Sequence, residues 1–145
     1  MLPSKDTNFV EILRARKSER GNDIAFQFLN GAGTSPDLLN YDELEISARG
    51  IAAELQSRGL SNKQVLLLYP PGLDFIKAFL GCLFAGSVAV PVYPPLIKRD
   101  AEHIVNISKD AECCVLLSTS PFVMSVLKML SGTFHDNIDS IVRRK

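Results

Sequence analysis

Few residues of this 145-residue chain have the type and spacing to do chemistry. The turn Tyr69-Pro70-Pro71-Gly72 follows an apolar run, where an α/β sheet would hold a phosphate. A phosphate cradle needs glycine-rich backbone whose N–H groups can approach the anion. Two prolines remove two of those donors, so this turn reads as a rigid launch for a helix. Gly81 and Gly86 have the GxxxxG spacing of a P-loop. They lie in and after a helical stretch, however, and Ser87-Val88 stands where a P-loop has Lys-Ser/Thr. Gly86 suits a helix C-cap instead. Gly31-Ala32-Gly33 reads as a turn, because no helix starts near it.

The other candidates are equally bland. Asp42, Glu43 and Glu45 are expected in the first turn of a helix, where acids favour the helix dipole. Cys113 and Cys114 are expected side by side on a strand, pointing to opposite faces as core thiols. With Cys82 they form neither a CxxC pair nor an even-numbered framework, which suits a reducing, cytoplasmic setting. His103 and His135 are too few and too isolated for a zinc site. No Ser/His/Asp set can be argued from the sequence. The reading therefore assigns no catalytic residue, no cofactor-binding residue and no metal ligand.

Composition narrows the classes further. Lys plus Arg and Asp plus Glu both number 16, a formal net charge of zero. That balance gives no support to a nucleic-acid or membrane-surface role. Arg143, Arg144 and Lys145 form the only basic run, read as a solvated tail. The polar start, Met1 to Asp6, shows no signal peptide. The most apolar stretch, 73–92, is broken by Asp74, Lys77, Gly81, Gly86 and Pro91, so it reads as helix, turn and strand rather than as a membrane span.

The elements that must position these residues follow from periodicity. Thr7 could cap a helix over 8–20, with Phe9, Ile12 and Leu13 as its apolar stripe and Gly21 at its end. A strand is expected at 24–29, a loop at 30–37 and a strand remnant at Leu38-Leu39. Asn40 and Glu43 have capping-box spacing. The helix they open puts Tyr41, Leu44, Ala48, Ile51, Ala52 and Leu55 on one face and stops at Gly59. Three like units come next. Residues 64–69, 88–92 and 113–117 read as strands, the first two covered on both faces. Residues 73–85, 99–111 and 122–130 read as helices. The first is apolar nearly all round, and the second has Ala101, Ile104, Val105 and Ser108 inward. After Gly132 a fourth strand is possible at 138–142. The fold class is therefore α/β, a layered, mostly parallel sheet with helices on both faces in a doubly wound style, unfinished at residue 145.

Several segments together resemble the adenylate-forming superfamily of AMP-dependent synthetases and ligases. Leu38-Leu39-Asn40-Tyr41-Asp42-Glu43-Leu44 is similar to its L-T-Y-x-E-L motif, with Asn40 in place of Thr. Leu83-Phe84-Ala85-Gly86-Ser87-Val88-Ala89-Val90-Pro91 is similar to its L-x-A-G-x-x-x-V-P motif. Residues 65–76 (VLLLYPPGLDFI), 79–86 (FLGCLFAG) and 91–95 (PVYPP) resemble the fatty acyl-AMP ligase branch, with Phe84 where that branch has Tyr. The resemblance runs from Phe9 to Leu130 and is strongest from Val65 to Pro95.

It implies an enzyme that activates a fatty acid with ATP and magnesium, forms an acyl-adenylate and passes the acyl group to an acyl-carrier protein. It also implies that residues 1–145 are part of the N-terminal domain, with a β-α-β core at about 64–131. The family's Ser/Thr/Gly-rich phosphate loop with its Lys, its metal-serving Glu, its ribose-binding Asp and its lid Lys match no position here. The isolated chain is accordingly expected to be inactive and to bind neither ATP nor magnesium tightly. The alternative is a non-catalytic interaction module that self-associates, through its open sheet edge, or pairs with a separate C-terminal portion.

Overall fold

A computed structural model describes residues 8–29, 36–95, 98–119 and 139–143. The chain opens with α1 (Phe9–Arg20). Its cap is Asn8, whose Oδ1 accepts from the N–H of Glu11 at 3.0 Å. Asn does what the sequence suggested for Thr7, which lies outside the described residues. β1 (Ile24–Phe28) and β2 (Asp37–Asn40) pair antiparallel as a separate two-stranded sheet. The loop glycines Gly31 and Gly33 lie outside the described residues. α2 (Tyr41–Ser57) starts from the expected capping box. Glu43 N–H donates to Asn40 Oδ1 at 2.8 Å, and Asn40 N–H donates to Glu43 Oε2 at 3.4 Å.

The remaining elements are β3 (Gln64–Leu68), α3 (Leu73–Ala85), β4 (Val88–Val92), α4 (Lys98–Asp110), β5 (Val115–Thr119) and β6 (Asp139–Arg143). The four strands form a parallel sheet in the order β4-β3-β5-β6. β3 lies inside it, and Val65, Leu66, Leu67 and Leu68 are all 0% exposed. Strand side chains alternate, so these residues divide between two cores. Val65 and Leu67 pack with Ile51 and Leu55 of α2 and with Ala78 and Cys82 of α3. Leu66 and Leu68 pack with Ala101, Ile104 and Val105 of α4. Helices thus cover both faces, as the continuous apolar run required.

The structure corrects three expectations about these units. β4 is not covered on both faces: Val88 and Pro91 are exposed, and Ala89, Val90 and Val92 are half-buried. Among the described residues it is an edge strand with one paired neighbour, a fact of strand order that its apolar sequence does not carry. The third strand begins at Val115 rather than at Cys113, because Glu112 takes positive φ (50°) and the chain is still turning at the cysteines. Glu45 does not sit in the solvated first turn. It is 3% exposed, and its carboxylate meets Lys17 at 3.3 Å and Arg49 at 3.6 Å, which ties α1 to α2. The expected helix at 122–130 lies outside the described residues. The possible last strand does form, as β6, parallel to β5.

α3 packs against both the sheet and the N-terminal elements. One flank faces β3 with Ala78, Cys82 and Ala85. Another meets Leu13, Leu39, Leu44 and Ala48 through Leu80. No residue of α3 is exposed, matching its all-round apolar sequence. The crossing with α2 is close at Gly81, where an added Cβ would lie 2.6 Å from Cβ and Cγ2 of Ile51. Ile51 is β-branched and buried, so it cannot swing aside. At its far end α3 stops at Gly86, whose φ of 71° is left-handed and whose N–H donates back to the Cys82 and Leu83 carbonyls. Gly81→Ala is expected to lower stability by about 1–2 kcal/mol, since the clash outweighs the better helix propensity of Ala. A reduced urea midpoint checks it, and in a double-mutant cycle Gly81→Ala should cost less in an Ile51→Ala background than in the parent, because the truncated side chain relieves the clash.

Candidate functional site

The two ends of the parallel sheet differ. At the amino ends, loops are tied tightly to one another. Asn62 N–H donates to Gly86 O at 2.8 Å, and Val88 N–H to Lys63 O at 2.9 Å. Ser87 Oγ donates to Leu60 O at 2.8 Å, Ser61 Oγ to Ala85 O at 3.1 Å, and Cys114 N–H to Gln64 O at 3.0 Å. At the carboxyl ends the sheet parts. β3 stays paired with β4 as far as Leu68↔Val92, and β5 with β6 as far as Thr119↔Arg143. Between β3 and β5 the register stops earlier, at Leu67↔Leu117. Beyond it the hydroxyl of Ser118, fully buried, donates to Leu68 O at 2.6 Å.

This parting falls at the topological switch point. From β3 the chain leaves through α3 to β4 on one side, then returns through α4 on the opposite face to β5 on the other side. Open α/β sheets bind ligands in that crevice. Tyr69 and the prolines leave β3 on one lip, and Ser118 and Thr119 form the other. The Ser118 bond was not legible in the sequence, where a Ser after an apolar run carries no signal of its partner.

The lip is poor in donors. Pro70 and Pro71 are exposed and offer no N–H, so the donors left on this lip are the first backbone N–H groups of α3, which starts at Gly72 without a side-chain cap. Pro94 and Pro95, buried just past β4, add no donor either. Asp74, in the first turn of α3, pairs with Lys77 at 3.3 Å, so a carboxylate rather than a vacant cation stands nearest that helix end. Among the described residues no three of His, Cys, Asp and Glu gather as a metal would require. With Lys77 paired to Asp74 and no ligand cluster among the described residues, these residues do not fit a magnesium triphosphate. His103 is exposed on α4, and His135 lies outside the described residues.

The cysteines are not poised nucleophiles. Burial pushes the Cys82 thiol up to about 12. Burial, then the neighbouring Cys114, raises that of Cys113. Thiols held protonated are inert. Cys82 and Cys113 are buried core thiols and Cys114 is half-buried. The two neighbours lie in the turn before β5, not on the strand, so strand alternation does not explain their placement.

A family described as AMP-binding enzyme matches residues 13–140. The chain belongs to that family. It is 38% identical over 115 residues to the medium-chain-fatty-acid–[acyl-carrier-protein] ligase JamA of Moorena producens, covering 77% of this chain and 19% of JamA. It is 30% identical over 134 residues to the long-chain-fatty-acid–AMP ligase FadD26 of Mycobacterium marinum, covering 90% of this chain and 23% of that protein. A fatty acyl-adenylate ligase of L. pneumophila, solved with acyl adenylate and pyrophosphate, superposes with a TM-score of 0.79 at 33% identity, over 92% of this chain and 22% of that one. The chain thus groups with the fatty acyl-AMP ligases and spans about a fifth of the length of these relatives. The segments that resemble this branch build one side of the parallel sheet and the helix that covers it. Residues 65–76 are β3, its proline turn and the start of α3. Residues 79–86 carry Gly81 and the Gly86 cap, and 91–95 close β4.

The buried thiols give a pH dependence with a definite sign. The folded-state value of Cys82 lies above the ordinary 9.0, so the unfolded chain loses that proton first. Stability is then unaffected below pH 9 and falls as pH rises from 9 toward about 12. Urea midpoints across that range should fall less in Cys82→Ala than in the parent chain. At neutral pH Ellman's reagent should modify Cys114 first and reach Cys82 only on unfolding.

Proposed function

We propose that this chain is the amino-terminal part of a fatty acid–AMP ligase, which uses ATP and magnesium to make an acyl-adenylate and hands the acyl group to an acyl-carrier protein in the cytoplasm. Residues 1–145 form part of its N-terminal domain, with a β-α-β core at about 64–131. The similarity to JamA, whose name gives a fatty acid and an acyl-carrier protein as its substrates, carries this reading. The fatty acyl-adenylate ligase that shares this fold, solved with acyl adenylate and pyrophosphate, supports the adenylate step. No helix among the described residues is long and apolar enough to cross a membrane.

The role of residues 1–145 in that enzyme is scaffolding. Catalysis of this kind rests on donors and a metal aimed at the charge that develops on the phosphate. The proline-rimmed lip gathers no metal-ligand set among the described residues, and the family's phosphate loop matches no position in this sequence. The segment by itself is then inactive. A second reading, pairing with a separately supplied remainder, draws on the exposed apolar side chains Ile24, Leu29 and Leu38 at the β1-β2 hairpin.

Two assays test the proposal. Residues 1–145 alone should give no fatty-acid-dependent exchange of pyrophosphate into ATP, and measurable exchange would overturn the scaffold role. Residues 1–145 put in place of the matching segment of the Legionella ligase should leave acyl-adenylate formation within about ten-fold of the parent, or roughly 1.4 kcal/mol in the barrier. A folded chimera without that activity would count against the ligase reading.

A further inference from the structure

Among the described residues β4 is the outermost strand on one side of the parallel sheet. Such an edge offers unpaired N–H and C=O groups to any passing strand. Which groups point outward follows from one bond. Val88, in register with Gln64, donates its N–H to Lys63 O at 2.9 Å, toward β3. Backbone direction alternates along a strand, so Val90 and Val92 also turn toward β3 while Ala89 and position 91 turn outward. Position 91 is proline, and it is exposed. Its register partner Leu67 lies between the inward groups of Val90 and Val92, so the proline removes nothing from the internal ladder. It removes an N–H from the outer edge and leaves that of Ala89. The same edge carries Val88, 51% exposed, an apolar neighbour that would favour contact with another strand.

We propose that Pro91 is a gatekeeper that closes the outer edge of β4 to strand addition by a second copy of this chain. Two β4 strands meeting antiparallel about a two-fold axis would draw donors from positions 89 and 91 of each copy. With proline at 91 each copy donates from Ala89 alone, and the pyrrolidine ring occupies the place of the missing hydrogen. This inference is independent of the ligase reading, since it uses only the strand, its register and its edge.

Pro91→Thr restores the N–H without adding apolar surface. In sedimentation velocity on the whole chain, Pro91→Thr should associate at a concentration about ten-fold lower than the parent, the effect of one restored hydrogen bond per copy. Adding Ala89→Pro should cancel that gain. The residue-91 amide of Pro91→Thr should also become protected from hydrogen exchange as concentration rises. The proposal is overturned if Pro91→Thr sediments like the parent and its residue-91 amide stays unprotected at every concentration. Association that survives Ala89→Pro would overturn it too. Should the double variant fail to fold, protection of the residue-91 amide decides alone.

Discussion

The structure hangs on the two-sided burial of β3. A strand with Val65, Leu66, Leu67 and Leu68 all withdrawn from water cannot stand at an edge or on a surface. It needs a paired neighbour on each side to satisfy its backbone, and β4 and β5 supply them. It needs an apolar layer on each face, and α3 and α4 supply those. Each buried Leu or Val contributes about 1.5–3 kcal/mol. That sum drives the assembly of elements far apart in the chain.

The same constraint explains the asymmetry of the sheet. Loops at the amino ends are short and satisfy one another, as the Ser87 and Ser61 hydroxyls do for the carbonyls of Leu60 and Ala85. At the carboxyl ends the connections from β3 and from β4 run on opposite faces, and the crevice opens between β3 and β5. The β3–β5 ladder ends early, and Ser118 satisfies the Leu68 carbonyl that it leaves behind. A buried acceptor left unpaired at that point would cost about 1–3 kcal/mol.

Polar groups elsewhere obey the same accounting. Glu45 is almost wholly buried, yet its partners Lys17 and Arg49 keep contact with water. The pair fastens α1 to α2 without burying a second charge, which limits the desolvation cost. Arg14 lies 5.3 Å from the centre of the Phe84 ring, a second tie from α1 to the rest, here onto α3. Other ion pairs are exposed, as between Arg20 and Asp23 and between Arg58 and Glu54.

Much was legible in the sequence alone, because the signals were local. The Asn40–Glu43 box, the Gly86 cap and the inward set Ala101, Ile104, Val105 and Ser108 depend on spacing within one helix, and all stand as read. The α/β class followed from the alternation of covered strands with helices, and the family from motifs at 65–95. Strand order was decided only by the tertiary structure, and with it the edge position of β4 and the outward turn of Pro91. An apolar strand reads alike whether one neighbour or two will pair with it. The same holds for Glu45, Gly81 and Ser118. Their roles depend on Lys17, Ile51 and Leu68, which lie 28, 30 and 50 positions away in the chain. Local sequence fixes which elements form, whereas partners so distant meet only when burial of the central strand brings the layers together.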